Sequence, residues 1–190
     1  MGSIPTDSRV RVYIACSLDG FIAGPGDDLS WLPQPDTESK VDSARDSGAL
    51  EFGSFLDQVG ALAMGRRTYD AVTAFDGVWP YGERPVFVAT HRALEPTTLN
   101  VRGVAGDISE VIAAAREAAG EKDVYLDGGA LIRQAVDAGL VDEITVTFVP
   151  VLLGQGVSLF AGVTKRHALE LVGHSRFGSN LLQLHLRPNR

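Results

Sequence analysis

Ala63-Met64-Gly65-Arg66-Arg67-Thr68-Tyr69 joins an apolar run to a polar one through a single glycine. Residues 61–64 have the length and composition of a short buried strand. Residues 67–74 carry their apolar side chains at helical spacing. Gly65 permits the tight turn between them. The same design recurs at Leu126-Asp127-Gly128-Gly129-Ala130-Leu131-Ile132, and in weaker form at Val88-Ala89-Thr90-His91-Arg92. In open α/β sheets, ligands gather beyond the carboxyl ends of the strands, where these three segments would lie. Helix-start amides beside guanidinium groups make a phosphate site. Spacing alone supports a solvated arginine pair equally well. Paired glycines let a backbone approach a ligand and turn its amides toward a diphosphate, or they form a plain tight turn. The third segment adds a hydroxyl and positive charge beside the same ligand, or is a surface loop.

Outward from these segments the chain alternates strand and helix signals. Residues 9–18, rich in Val, Ile and Tyr, predict a first strand. Phe21-Ile22-Ala23 follows, and Gly24-Pro25-Gly26-Asp27-Asp28 is turn-forming. Residues 31–47 read as a loop that enters a helix near Asp36 or later. That helix ends near Gln58, with Leu50, Phe55 and Leu56 among its apolar positions. Residues 85–89 predict another buried strand. Asp107-Ile108-Ser109-Glu110 is a capping box for an alanine-rich helix that runs to Ala119 and stops at Gly120. Residues 124–126 predict a strand, 130–138 a helix stopped by Gly139, and 144–151 a long apolar strand. Residues 169–176 and 181–187, joined by Phe177-Gly178-Ser179-Asn180, predict an antiparallel hairpin. The expected fold is α/β: a mixed, mostly parallel sheet with helices on both faces and an antiparallel C-terminal hairpin. The expected division is a disordered N-terminal segment, residues 1–8, and a single domain over residues 9–190, a length that suits one core.

Composition excludes several classes. A net charge of −7 argues against a nucleic-acid partner, which calls for a basic surface. No apolar run approaches the ~20 residues that cross a bilayer, so no membrane partner is expected. Residues 1–8 lack the apolar core of a signal peptide. The single cysteine, Cys16, precludes an internal disulfide and fits a reducing cytoplasm. Its apolar surroundings suggest a buried structural thiol. There is no Walker loop and no G-x-G-x-x-G. The histidines at 91, 167, 174 and 185 have no partners at metal-ligand spacing.

Four motifs occur in one order: Ser17-Leu18-Asp19-Gly20-Phe21-Ile22-Ala23, Met64-Gly65-Arg66-Arg67-Thr68-Tyr69, Tyr125-Leu126-Asp127-Gly128-Gly129, and Pro150-Val151-Leu152-Leu153-Gly154-Gln155-Gly156. Together they resemble the dihydrofolate reductase-like group that includes the reductase domain of the riboflavin biosynthesis deaminase-reductase, in a stand-alone form. The likeness spans residues 9–187. It implies an eight-stranded mixed sheet with NADPH held across it, a small-molecule substrate and a homodimer. Gly65, Arg66, Arg67 and Thr68 then meet the adenosine 2′-phosphate side, with Thr90, His91 and Arg92 beside them. Gly128, Gly129, Ala130 and Leu131 hold the diphosphate. Ala15, Asp19 and Ile22 lie beside the nicotinamide. Trp31 resembles the tryptophan that follows the mobile active-site loop of dihydrofolate reductases. Glu51 and Phe55 match the spacing of that enzyme's pterin-binding carboxylate and phenylalanine. Asp19 and Glu51 are the expected catalytic carboxylates, and Trp31 and Phe55 the expected substrate contacts. The implied activity is hydride transfer from NADPH to a pterin-like or ribosylaminopyrimidine-like compound, of the 5-amino-6-(5-phosphoribosylamino)uracil reductase type. The alternatives are a dihydrofolate reductase and a non-catalytic nucleotide-binding protein.

Overall fold

A computed structural model describes residues 8–33, 48–74, 79–95, 100–177 and 180–189. The first strand, β1 (Val10–Ser17), lies inside an eight-stranded sheet. On one side it pairs in parallel with β6 (Asp123–Asp127), then β3 (Val59–Gly65), β4 (Val86–Ala89) and β5 (Val101–Val104). On its other side lies β7 (Glu143–Val149), also parallel. Then come β10 (Leu181–Pro188) and β9 (Leu169–Phe177), both antiparallel to their neighbours. The expected mixed sheet and C-terminal hairpin are therefore present. A small second sheet pairs β2 (Phe21–Ala23) with β8 (Val157–Ser158).

Among the described residues, four α-helices cover the sheet. These are α1 (Phe52–Leu56), α2 (Arg66–Thr73), α3 (Ile108–Ala119) and α4 (Gly129–Asp137). The alternation of β1 explains why both faces need covering. Val10, Val12 and Cys16 pack with Val111, Ile112 and Ala115 of α3 and with Leu131, Ile132 and Ala135 of α4. Tyr13 packs on the opposite face with Phe55 and Leu56 of α1 and Tyr69 of α2. Ile132 and Leu126 are fully buried, where truncation to alanine costs roughly 2–5 kcal/mol. The capping box at α3 forms as the sequence predicts: the Asp107 carboxylate accepts from the Ser109 and Glu110 amides, and Glu110 Oε2 accepts from the Asp107 amide. Among the described residues no helix is long and apolar enough to cross a membrane.

Four elements differ from expectation. The helix expected to run from near Asp36 to Gln58 is, within the described residues, the five-residue α1; residues 34–47 lie outside them. Glu51 has extended backbone and caps α1 instead of continuing it. The preceding turn is held by tertiary contacts. Gln183, fully buried on β10, accepts from the Leu50 amide and donates to the Leu50 carbonyl, while Tyr13 Oη donates to that same carbonyl. The strand expected over residues 144–151 ends at Val149, where Pro150 lacks the amide that a ladder needs. Edge strand β5 and the two-residue β8 were not anticipated, since Val-Arg-Gly-Val and Val-Ser are too short to show a period.

Candidate active site

Strands β3 and β6 lie side by side with Met64 opposite Asp127, so their carboxyl ends are level. Each strand then turns into a helix through glycine. Gly128 has φ +92°, a conformation that side chains resist, and a Cβ on it would overlap Thr68 Oγ1. The arginine segment and the glycine pair, 60 residues apart, therefore form one wall. A Cβ on Gly129 would lie 2.9 Å from Arg133 Nη1, 3.0 Å from the Ser158 carbonyl and 3.2 Å from Ile22 Cδ1. Backbone here is pressed close to its neighbours, and glycine is the residue that fits without displacing them.

Beyond these strand ends lies a cleft of about 490 Å³, a size typical of small-ligand sites. Ala15, Ile22, Gly65, Arg66, Arg67, Thr68, Gly128, Gly129, Ala130 and Leu131 all line it. The structure thus brings together most of the residues expected to hold the dinucleotide. Leu29 and Leu32, from the segment after β2, add an apolar wall.

Both arginines are paired with carboxylates. Arg66 Nε donates to Asp70 Oδ1 at 2.7 Å, and its Nη1 donates to the Ala93 carbonyl at 3.0 Å. Arg67 grips Asp27 through both of its arms, at 2.8 and 2.9 Å. That bridge spans from the first turn of α2 to the loop after β2, and the Asp27 carboxylate raises the Arg67 pKa above its ordinary value. Asp27 holds φ +63°, the one non-glycine residue with positive φ among those described.

Two carboxyls line the cleft: Asp27, paired with Arg67, and Asp127, at the end of β6. Asp127 Oδ1 accepts from the Gly128 amide at 2.8 Å, and Tyr81 Oη donates to its Oδ2 at 3.3 Å. Burial pushes its pKa up, against the opposing pull of these hydrogen bonds. Burial, and next the Asp127 charge, push the Tyr81 and Tyr125 phenols up as well. A carboxyl whose pKa burial raises, beside phenols raised in the same way, is of the type that can serve as a general acid.

The model of the RibD C-terminal domain matches residues 8–183. The chain belongs to the RibD C-terminal domain family. It is 30% identical to the uncharacterized protein YwjB of Bacillus subtilis, over 94% of this chain and 97% of that one. A second uncharacterized B. subtilis protein, YyaP, is 28% identical over 93% of each. A solved putative riboflavin biosynthesis protein from Shewanella sp. PV-4 superposes with a TM-score of 0.78 at 31% identity, covering 96% of this chain and 99% of that one. Dihydrofolate reductase from Enterococcus faecalis, solved with NADP(H), shares the fold at a TM-score of 0.62 and 14% identity, over 97% and 98%.

In this RibD C-terminal fold the other expected site residues fall outside the cleft lining. Asp19 is turned away: its carboxylate accepts from Ser17 Oγ and from the Leu153 and Gly154 amides, and these bonds hold its pKa below the usual range. Glu51 is exposed at the start of α1. Its four-residue spacing to Phe55 appears as the hydrogen bond from the Phe55 amide to the Glu51 carbonyl. Phe55 is fully buried, stacked on Tyr13 with ring centres 4.9 Å apart. Trp31 Nε1 donates to the Asp28 carbonyl. Thr90, His91 and Arg92 follow β4, but only Ala89 from that strand end lines the cleft. Sequence reasoning missed Asp27, Asp127 and Arg133. The Asp127 signal was available, since a carboxylate at a strand end ahead of two glycines stands where ligands gather.

Proposed function

We propose that the chain is an NADPH-dependent reductase acting on a C=N or C=O carbon of a pterin-like or ribosylaminopyrimidine-like small molecule. The observation that carries this is the shared wall of Thr68 and Gly128, beside a cleft that Arg66, Arg67 and Asp127 also line. The residues fit a dinucleotide: close backbone at Gly128 and Gly129 suits a diphosphate, and two guanidinium groups suit a further phosphate. The cofactor, when bound, supplies the hydride.

The chain supplies the rest. Amides at the start of α4 and the guanidinium groups of α2 hold the phosphates. Ala15 and Ile22 flank the reacting end, while Leu29 and Leu32 exclude water from it. The Asp127 carboxyl hands a proton to the substrate atom that receives charge as the hydride arrives. This role goes to Asp127 because Asp19 is committed to the Leu153 and Gly154 amides and Glu51 is exposed. Orientation of the two ligands lowers the barrier further.

The same proposal takes residues 9–190 as one working domain of the cytoplasm and two copies as the working unit. Exposed Leu18 and Leu182, which border one apolar groove, support the dimer, and sedimentation checks it. The decisive experiment follows NADPH absorbance with 5-amino-6-(5-phosphoribosylamino)uracil, its riboside and dihydrofolate. Oxidation with the aminopyrimidines and not with dihydrofolate is the expected result. NADPH binding without turnover on any of them refutes catalysis, and turnover on dihydrofolate alone refutes the substrate class.

A further inference from the structure

Beside the main cleft lies a smaller lobe of about 350 Å³. Gly24, Pro25 and Gly26 form one wall, Gly156 to Ser158 another, and Arg67 and Arg133 line it as they line the main cleft. Arg133 stands one helical turn beyond Gly129. Its Nη1 donates to the Ser158 carbonyl at 2.6 Å and the Leu159 carbonyl at 3.4 Å. These are its only protein partners among the described residues. A guanidinium has five N–H donors, so Nε and Nη2 remain available.

The charge of Arg133 is also unmatched. Arg9, Arg11, Arg66, Arg67, Arg116 and Arg187 each meet a carboxylate within the structure. Arg133 meets none among the described residues, although it is half-buried at the junction of two cavities. A desolvated cation without a counter-ion is costly, and an anionic ligand removes that cost. Glycines at 24, 26 and 156 leave backbone rather than side chains around the space. A role confined to tying α4 to β8 needs Nη1 alone.

We propose that this lobe is a phosphate subsite with Arg133 as its principal ligand. The inference deepens the reductase reading and rests on it for the identity of the bound molecule. One carboxylate saturates a single guanidinium fork; a phosphate carries more acceptor oxygens and more charge, and so uses Arg133 together with Arg67 when Arg67 releases Asp27. The phosphate belongs either to the diphosphate bridge of the dinucleotide or to a phosphomonoester on the substrate.

The test is calorimetric titration of the parent, Arg133→Gln and Arg133→Lys with inorganic pyrophosphate and with ribose 5-phosphate, beside NADPH titration by tryptophan fluorescence. Loss of charge-assisted hydrogen bonds should weaken the relevant ligand by about tenfold or more in Arg133→Gln. Arg133→Lys keeps charge and an Nη1-like donor, so it should fold as the parent does while losing the fork's share of the affinity. A loss confined to pyrophosphate and NADPH supports the subsite and assigns it to the cofactor bridge. A loss confined to ribose 5-phosphate supports it and assigns it to the substrate. If ribose 5-phosphate binds through Arg133 while NADPH does not bind the parent, the subsite stands and the NADPH reading falls. Unchanged affinities in both variants, or a parent that binds neither phosphate probe, overturn the proposal.

Discussion

Replacing Asp27 by Asn should tighten NADPH binding. Asp27 occupies Arg67 in a two-armed bridge across the cleft mouth, so an incoming phosphate must displace it. The Arg67 side chain is 68% exposed and that of Asp27 35%; such a pair is worth roughly 0.2–1 kcal/mol. Removing it without removing Arg67 should therefore strengthen binding about 1.4- to fivefold. Asn suits the position because it tolerates the positive φ that Asp27 holds. Arg67→Ala removes a phosphate contact worth roughly 1.5–3 kcal/mol, but it also removes the need to break the bridge. The net loss is about twofold to a hundredfold, less than a free arginine would give. The assay is NADPH and NADH titration at low ionic strength, repeated in high salt, where screening should shrink the Asp27→Asn gain. A gain with NADPH alone ties Arg67 to the 2′-phosphate; a gain with both ties it to the diphosphate. An Asp27→Asn protein with unchanged or weaker affinity for both cofactors would refute the competition.

Other outcomes follow from single side chains. Asp127→Asn should raise the melting temperature at neutral pH. A carboxyl whose folded pKa is raised destabilises the fold as pH climbs above its unfolded value near 3.8. The advantage should vanish in acid, and scanning calorimetry across pH checks this. The same variant should lose turnover and should flatten the parent's fall in kcat/KM with rising pH; an unchanged profile excludes Asp127 as the proton donor. Asp123→Asn should destabilise by an amount near the lower end of ~3–5 kcal/mol, measured by urea unfolding. It breaks the buried bridge to Arg11 at 3.0 Å, while Glu143 still meets that arginine. Burial pushes the Asp123 carboxyl up, but bonding to Arg9 and Arg11 outweighs it and its pKa ends low. Its stabilisation is thus full above the unfolded value and is lost as pH falls through the folded one. Gly128→Ala should abolish cofactor binding with far-UV dichroism retained, because its Cβ overlaps Thr68 Oγ1; tight binding by that variant would remove Gly128 from the site.

Local patterns in the chain were sufficient for the sheet, the helices α2 to α4 and the C-terminal hairpin. Apolar periodicity, the Asp107 capping box and the stops at Gly120 and Gly139 are written in neighbouring residues, and burial of the apolar faces then leaves few arrangements. The glycine and arginine segments were legible for a similar reason: a turn from strand to helix needs particular residues at adjacent positions. What lies between distant segments was not legible. Tyr13, 37 residues before Leu50, and Gln183, 133 residues after it, hold the Leu50 backbone in place, and so α1 is shorter than its apolar spacing suggests. Spacing paired Glu51 with Phe55 on one helix face, but Glu51 sits before the helix while Phe55 closes against Tyr13 in the core. Asp19 resembles a catalytic carboxylate until the Leu153 and Gly154 amides reach it from the loop after the neighbouring strand β7, 134 and 135 residues on in the chain. Asp127 gains its character only from burial beneath Tyr81, and Arg67 meets Asp27 only where two loops converge. By itself the sequence determined which residues turn and which are buried, because those preferences act over a few bonds. The tertiary structure alone decided that Asp127 is buried beside the cleft and that Arg67 is already paired with Asp27, because desolvation and such ion pairing depend on neighbours that the fold supplies from elsewhere in the chain.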